Sequence, residues 1–157
     1  MRMLLVGAGA VGESICRILK KRDEKGKWLD YVLVADYNEA RAIEVVEHLD
    51  HDPRFQAIFI NARDMELMKS IIKEHTIDFV MDATDPYLAN TIFNAAYEAG
   101  VNYANMGTWS VPMDDPAFGL GIENSYAEPM TKYNFDRHEA WKQKGIMACI
   151  CLGIDPG

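Results

Sequence analysis

Apolar residues along this chain fall into short continuous runs, separated by stretches in which they recur every three or four positions. The runs lie at 2–6 (RMLLV), 31–35 (YVLVA), 56–60 (QAIFI) and 78–82 (DFVMD). Because polar and apolar residues do not alternate within them, they predict strands covered on both faces. The intervening spacing predicts a helix over 10–21 that buries Val11, Ile15, Ile18 and Leu19. A second helix is predicted over 38–49, with Ala42, Val45, Val46 and Leu49 inward, and a third over 65–75, with Leu67, Met68, Ile71 and Ile72 inward. Asp85 and Pro86 supply an N-cap and a first helical position for a fourth, reaching 98 and burying Leu88, Ile92, Ala95, Ala96 and Ala99. Gly100 stops it. A shorter fifth strand is predicted over 101–105, a further helix near 134–144 and a sixth strand over 146–151.

Strand and helix in strict alternation, joined by right-handed crossovers, predict an α/β fold: a Rossmann-type, doubly wound, mostly parallel six-stranded sheet in three layers. Residues 108–133 break the rhythm. They carry Pro112, Pro116 and Pro129 with several Gly, Asp and Asn, and predict a long irregular excursion. No internal repeat or low-complexity segment is present.

At 157 residues, 49% of them hydrophobic, the chain suits one domain with a real core. Its net charge of −8 comes from 24 acidic against 16 basic residues, which disfavours nucleic acid or an anionic membrane as the main partner. No apolar run approaches the ~20 residues that span a bilayer, and a strand begins too early for a signal peptide. Cys16, Cys149 and Cys151 form no C-x-x-C pair and read as packed or idle thiols of a cytoplasmic protein. His48 and His51 lack a third ligand for a metal, His138 sits in a charged helix, and no Ser or Cys occupies a nucleophile-elbow context.

The candidate chemistry lies between the first strand and the first helix. Gly7, Gly9 and Gly12 form G-x-G-x-x-G in the strand–turn–helix context that gives this motif meaning. Gly7 permits the turn, Gly9 lets backbone approach a pyrophosphate, and Gly12 lets helix and strand pack closely. The helix opening at Ala10, Val11 and Gly12 offers free N–H groups to phosphate. Asp36 ends the second strand, near the position about 20 residues on where an acid grips the adenosine ribose; Tyr37 and Asn38 follow it. A carboxylate there favours NAD, whereas Arg41 is the feature through which NADP would be accommodated. The ends of the later strands complete the expected path: Asp64 as helix cap or adenine neighbour, Ala83 and Thr84 toward the nicotinamide ribose, and Met106 and Gly107 at the nicotinamide.

Taken together, "LLVGAGAVGESI", "ADYN", "DATDPY", "GVNYANMGTWS" and the closing "GIMACICLGIDPG" resemble the N-terminal, NAD(P)-binding half of saccharopine dehydrogenase family proteins, over essentially the whole chain. The resemblance implies an oxidoreductase that exchanges a hydride with the C–N bond of an amino acid or polyamine adduct. It also implies a small-molecule substrate held by a following domain, and a homodimer in the full-length protein. On this reading residues 1–157 are a cofactor domain cut ahead of its substrate and dimerisation domain, inactive alone, with the catalytic acid or base elsewhere. Asp155 reads as a turn acid ahead of Pro156. Two other classes share parts of the pattern: a nucleotide-sensing module that binds NAD without catalysis, and a methyltransferase using S-adenosylmethionine. The position of "DATDPY" after the fourth strand argues against the first, and Gly12 against the second.

Overall fold

The computed structural model describes residues 1–109 and 129–153. Among these residues six strands form one parallel sheet: β1 (Arg2–Val6), β2 (Tyr31–Asp36), β3 (Phe55–Phe59), β4 (Phe79–Asp82), β5 (Asn102–Asn105) and β6 (Ala148–Cys149). Their spatial order is β3-β2-β1-β4-β5-β6. The chain moves outward from β1 to β3, returns to β4 on the other side of β1, and moves outward again. Leu4 registers with both Leu33 and Val80, so β1 is central.

The unbroken apolar strands feed two cores. Leu4, Val6, Leu33 and Ala35 point to one face, where α3 (Met65–Glu74) and α4 (Ala89–Ala99) pack. Met3, Leu5, Val32 and Val34 point to the other, against α1 (Ala10–Arg22) and α2 (Glu39–Glu47). A strand whose alternate side chains serve different cores has no polar face to show, which explains the pattern in the sequence.

Helix α1 departs from the expected orientation. Val11 and Ile18 are 47% and 53% exposed, while Gly12 and Cys16 are buried and Ile15 and Leu19 half-buried. The expected face follows the bulk of the apolar side chains. The observed face follows the closest approach, where the smallest residue must lie: a Cβ on Gly12 would stand 1.9 Å from the Gly7 carbonyl oxygen. Burial pushes the Cys16 thiol up to about 12, as a packed and unreactive cysteine should be.

The fourth helix begins as a 3₁₀ turn, Pro86–Leu88, with Asp85 Oδ1 accepting from the Tyr87 N–H (3.0 Å). It ends at Gly100 in the left-handed conformation (φ 75°). The helix expected near 134–144 is two helices, α5 (Lys132–Phe135) and α6 (His138–Gln143). The Arg137 guanidinium lies over the Tyr133 ring and donates to the Tyr133 carbonyl (2.9 Å), while the Arg137 N–H bonds the Asn134 carbonyl (3.1 Å). The side chain thus takes the acceptor that a continuous helix would use. Strand β6 is two residues rather than six, because Asn105 Oδ1 accepts from the Cys151 N–H (2.9 Å) and a side chain replaces the ladder. Most of the expected 108–133 excursion, together with Asp155, lies outside the described residues. No helix among the described residues is long and apolar enough to cross a membrane.

Candidate functional site

The topological switch point lies between β1 and β4, where the chain leaves in opposite directions. Open α/β sheets bind ligands at the carboxyl ends of such strands. A crevice of about 630 Å³ opens there, lined by residues that include Gly7, Gly9, Asp36, Tyr37, Ala83 and Thr84. Six of the residues singled out in the sequence therefore meet in one cavity.

The three motif glycines are glycine for different reasons. Gly7 has φ 99°, and a Cβ on it would stand 2.7 Å from the Ala83 carbonyl oxygen. Gly12 is excluded from bearing a side chain by Gly7 itself. A Cβ on Gly9 meets nothing within 4 Å, and its φ of −68° suits any residue. Among the described residues the fold thus requires glycine at 7 and 12 but not at 9. Gly9 is also the N-cap of α1, with no side chain capping the helix. The first-turn N–H groups, which in any helix lack intrahelical partners, remain available to an anion.

Asp36 holds the loop that carries these groups. Its Oδ2 accepts from the Ala8 N–H (2.7 Å) and its Oδ1 from the Asn38 N–H (2.8 Å). A carboxylate has about four acceptor directions, so both oxygens keep capacity for ribose hydroxyls. Tyr37 beside it is 74% exposed and packs tilted against Phe59, ring centroids 5.7 Å apart.

The floor beneath Thr84 is a buried polar network. Asp82, 2% exposed, accepts from the Thr84 N–H (2.9 Å), the Thr84 hydroxyl (2.7 Å) and the Tyr103 hydroxyl (2.9 Å). Burial raises the Asp82 carboxyl above its ordinary range against the pull of these donors. Substituting Tyr103→Phe leaves one Asp82 oxygen without its donor and is expected to cost about 1–3 kcal/mol. An acid whose pKa rises on folding contributes most when protonated and loses that contribution as pH rises through the folded value. Loss of a donor raises it further, so the destabilisation should grow from acid to neutral pH in urea melts. A cost independent of pH would contradict this role.

The remaining singled-out residues lie apart from the crevice lining. Ala10, Val11 and Gly12 form the first turn of α1. Asp64 caps α3, its Oδ1 accepting from the Leu67 N–H (2.9 Å). The crevice wall after β3 is instead Ile60, Asn61, Ala62 and Arg63, immediately before it. Their sequence signal is position after a strand end alone, because none of the four is an acid. At the end of β5, the Gly107 carbonyl accepts from Asn105 Nδ2 (2.6 Å), and Met106 is half-buried beside it. Arg41 and His48 pair with Glu13 of α1, whose carboxyl is pulled down to about 2 by hydrogen bonds from Arg17, then Arg41, then His48. Among the described residues no group of three or more His, Cys, Asp or Glu could hold a metal ion.

Residues 3–149 match the family model described as the saccharopine dehydrogenase NADP binding domain. Carboxynorspermidine synthase of Vibrio cholerae serotype O1 is 27% identical over 164 aligned positions, covering 100% of this chain and 37% of that protein. Carboxyaminopropylagmatine dehydrogenase of Synechocystis sp. is 22% identical, covering 99% of this chain and 35% of that protein. Apo saccharopine dehydrogenase (L-Glu forming) from Saccharomyces cerevisiae superposes with a TM-score of 0.68 at 17% identity, covering 99% of this chain and 28% of the yeast one. The chain thus spans little more than a third of the length of the curated relatives it matches. Neither the sensing nor the methyl-transfer alternative draws support from these matches.

Proposed function

Since the chain belongs to the saccharopine dehydrogenase NADP-binding domain family, an oxidoreductase family, we propose that its crevice holds NAD in preference to NADP. It would serve a reaction at the C–N bond of an amino acid or polyamine adduct. The observation that carries this is Gly9: a bare, unstrained backbone position that the fold does not need, in the same crevice as Asp36. Gly9 and the first turn of α1 would receive the pyrophosphate, and Asp36 the adenosine ribose. The exposed Tyr37 ring would lie at the adenine, and Ala83 and Thr84 along the path to the nicotinamide. When bound, the nicotinamide supplies hydride transfer. The residues of this chain bind it, orient it and exclude water.

The substrate and the group that moves its proton belong to the remaining length seen in the relatives, as does the homodimer contact. The chain by itself is therefore expected to bind NAD without turning over saccharopine, lysine or carboxynorspermidine. Calorimetric titration with NAD, NADP and S-adenosylmethionine tests the cofactor reading. NAD should bind with the highest affinity, and binding of S-adenosylmethionine without NAD would reverse it. Turnover of any of the three amines by the isolated chain would refute the division of labour.

A further inference from the structure

Two arginines lie near the Asp36 end of the crevice: Arg63 lines it, and Arg41 stands on α2 beside it. Arg41 lies one turn beyond the Asp36–Asn38 loop, its N–H bonded to the Asn38 carbonyl (2.9 Å). That is the neighbourhood in which an arginine receives the 2′-phosphate of NADP. Its guanidinium is already committed. Nη1 donates to Glu44 (2.7 Å) and Nη2 donates to Glu13 Oε2 across the gap between α2 and α1. Glu44 is a half-exposed neighbour three residues along the same helix, a pairing of little strength that fixes no direction. Glu13 differs. Its side chain is only 16% exposed, and it is held in place by Arg17 (2.6 Å) and His48 (3.0 Å) as well as by Arg41. It is the partner that sets where Arg41 points.

Resting on the cofactor reading, we infer that Glu13 is a specificity-determining residue: it withholds Arg41 from a 2′-phosphate and so reinforces the preference for NAD set by Asp36. The ion pair removes the cation that a 2′-phosphate would use. It does not disfavour the ribose hydroxyl of NAD, which needs only the Asp36 acceptors. The feature is not visible from Asp36 alone. A sequence with the same acid and the same arginine, but without an acid at 13, would be read identically and would discriminate less.

The test compares the wild-type chain, Glu13→Gln and Glu13→Gln/Arg41→Ala by calorimetric titration with NAD and with NADP, after circular dichroism has shown each to be folded. Glu13→Asp, which keeps the charge but shortens the reach to Arg41, serves if the glutamine variant does not fold. Glu13→Gln should narrow the preference for NAD by about tenfold, through a gain in NADP affinity, because one charge-assisted bond to phosphate becomes available. The double variant should lose that gain while binding NAD as before. A fall in NADP affinity in Glu13→Gln would overturn the inference, since Glu13 would then be aiming Arg41 at the phosphate. An unchanged preference, or a gain that survives loss of Arg41, would overturn it equally. A folded wild-type chain that binds neither dinucleotide would instead overturn the cofactor reading, and this inference with it.

Discussion

Replacing Gly12 with alanine is expected to destabilise the domain by about 3–5 kcal/mol, the upper end of what a single substitution does. The new methyl carbon would stand 1.9 Å from the Gly7 carbonyl oxygen and 3.0 Å from its carbon. No side chain can swing aside to make room, because the obstacle is backbone. Nor can Gly7 yield alone. Its N–H donates to the Ala35 carbonyl (2.8 Å), and the space beside it is closed by the Ala83 carbonyl, 2.7 Å from where a Cβ on Gly7 would stand. Helix α1 must therefore lift from β1, opening the contacts of Cys16, Ile15 and Leu19 with the core they share. For a domain of this size 1 kcal/mol corresponds to roughly 2–4 °C, so thermal melting should fall by about 6–20 °C. A melting point within about 2 °C of wild type would show that the helix does not rest on the glycine turn as described.

The second large effect is expected at Gly9, with the opposite signature. Gly9→Ala should leave the melting temperature within about 4 °C, since the added methyl meets nothing and the backbone angles suit alanine. A helix N-cap loses only a few tenths to ~1 kcal/mol on such a change. NAD affinity, by contrast, should drop by about 10- to 100-fold, because the methyl occupies the space through which pyrophosphate approaches the helix opening. The pair Gly12→Ala and Gly9→Ala thus separates two roles that one motif conceals. Loss of stability without ligand marks the first, and loss of ligand without stability marks the second. If Gly9→Ala binds NAD as wild type does, the pyrophosphate does not pass that position.

These expectations indicate which parts of the protein were legible in one dimension. Strand runs such as 31–35 show no alternation because both faces are buried, and that fact alone implies helices on both sides and parallel pairing. The G-x-G-x-x-G turn and Asp36 are read from spacing, since one local unit of strand, turn and helix places them. Where the structure departs from the expected elements, a side chain took a bond that periodicity assigns to the backbone. Asn105 ended β6 through Cys151, 46 residues away. Arg137 divided a helix by taking a carbonyl that periodicity assigns to the backbone. Asp64 takes the cap, one of the two roles expected of it, while the neighbouring Asn61 and Arg63, which no spacing rule singles out, line the crevice.

By itself, then, the sequence determined the alternation of elements, the doubly wound parallel sheet and the glycine turn at its switch point, because each follows from periodicity and local turn chemistry. The tertiary structure decided which face of α1 is buried, which of three similar glycines is free of the fold, and which carboxylate commands Arg41. The physical reason is the same in all three cases. Steric contact and charge pairing act over a few ångströms in space, between residues such as Glu13 and Arg41 that lie 28 positions apart along the chain.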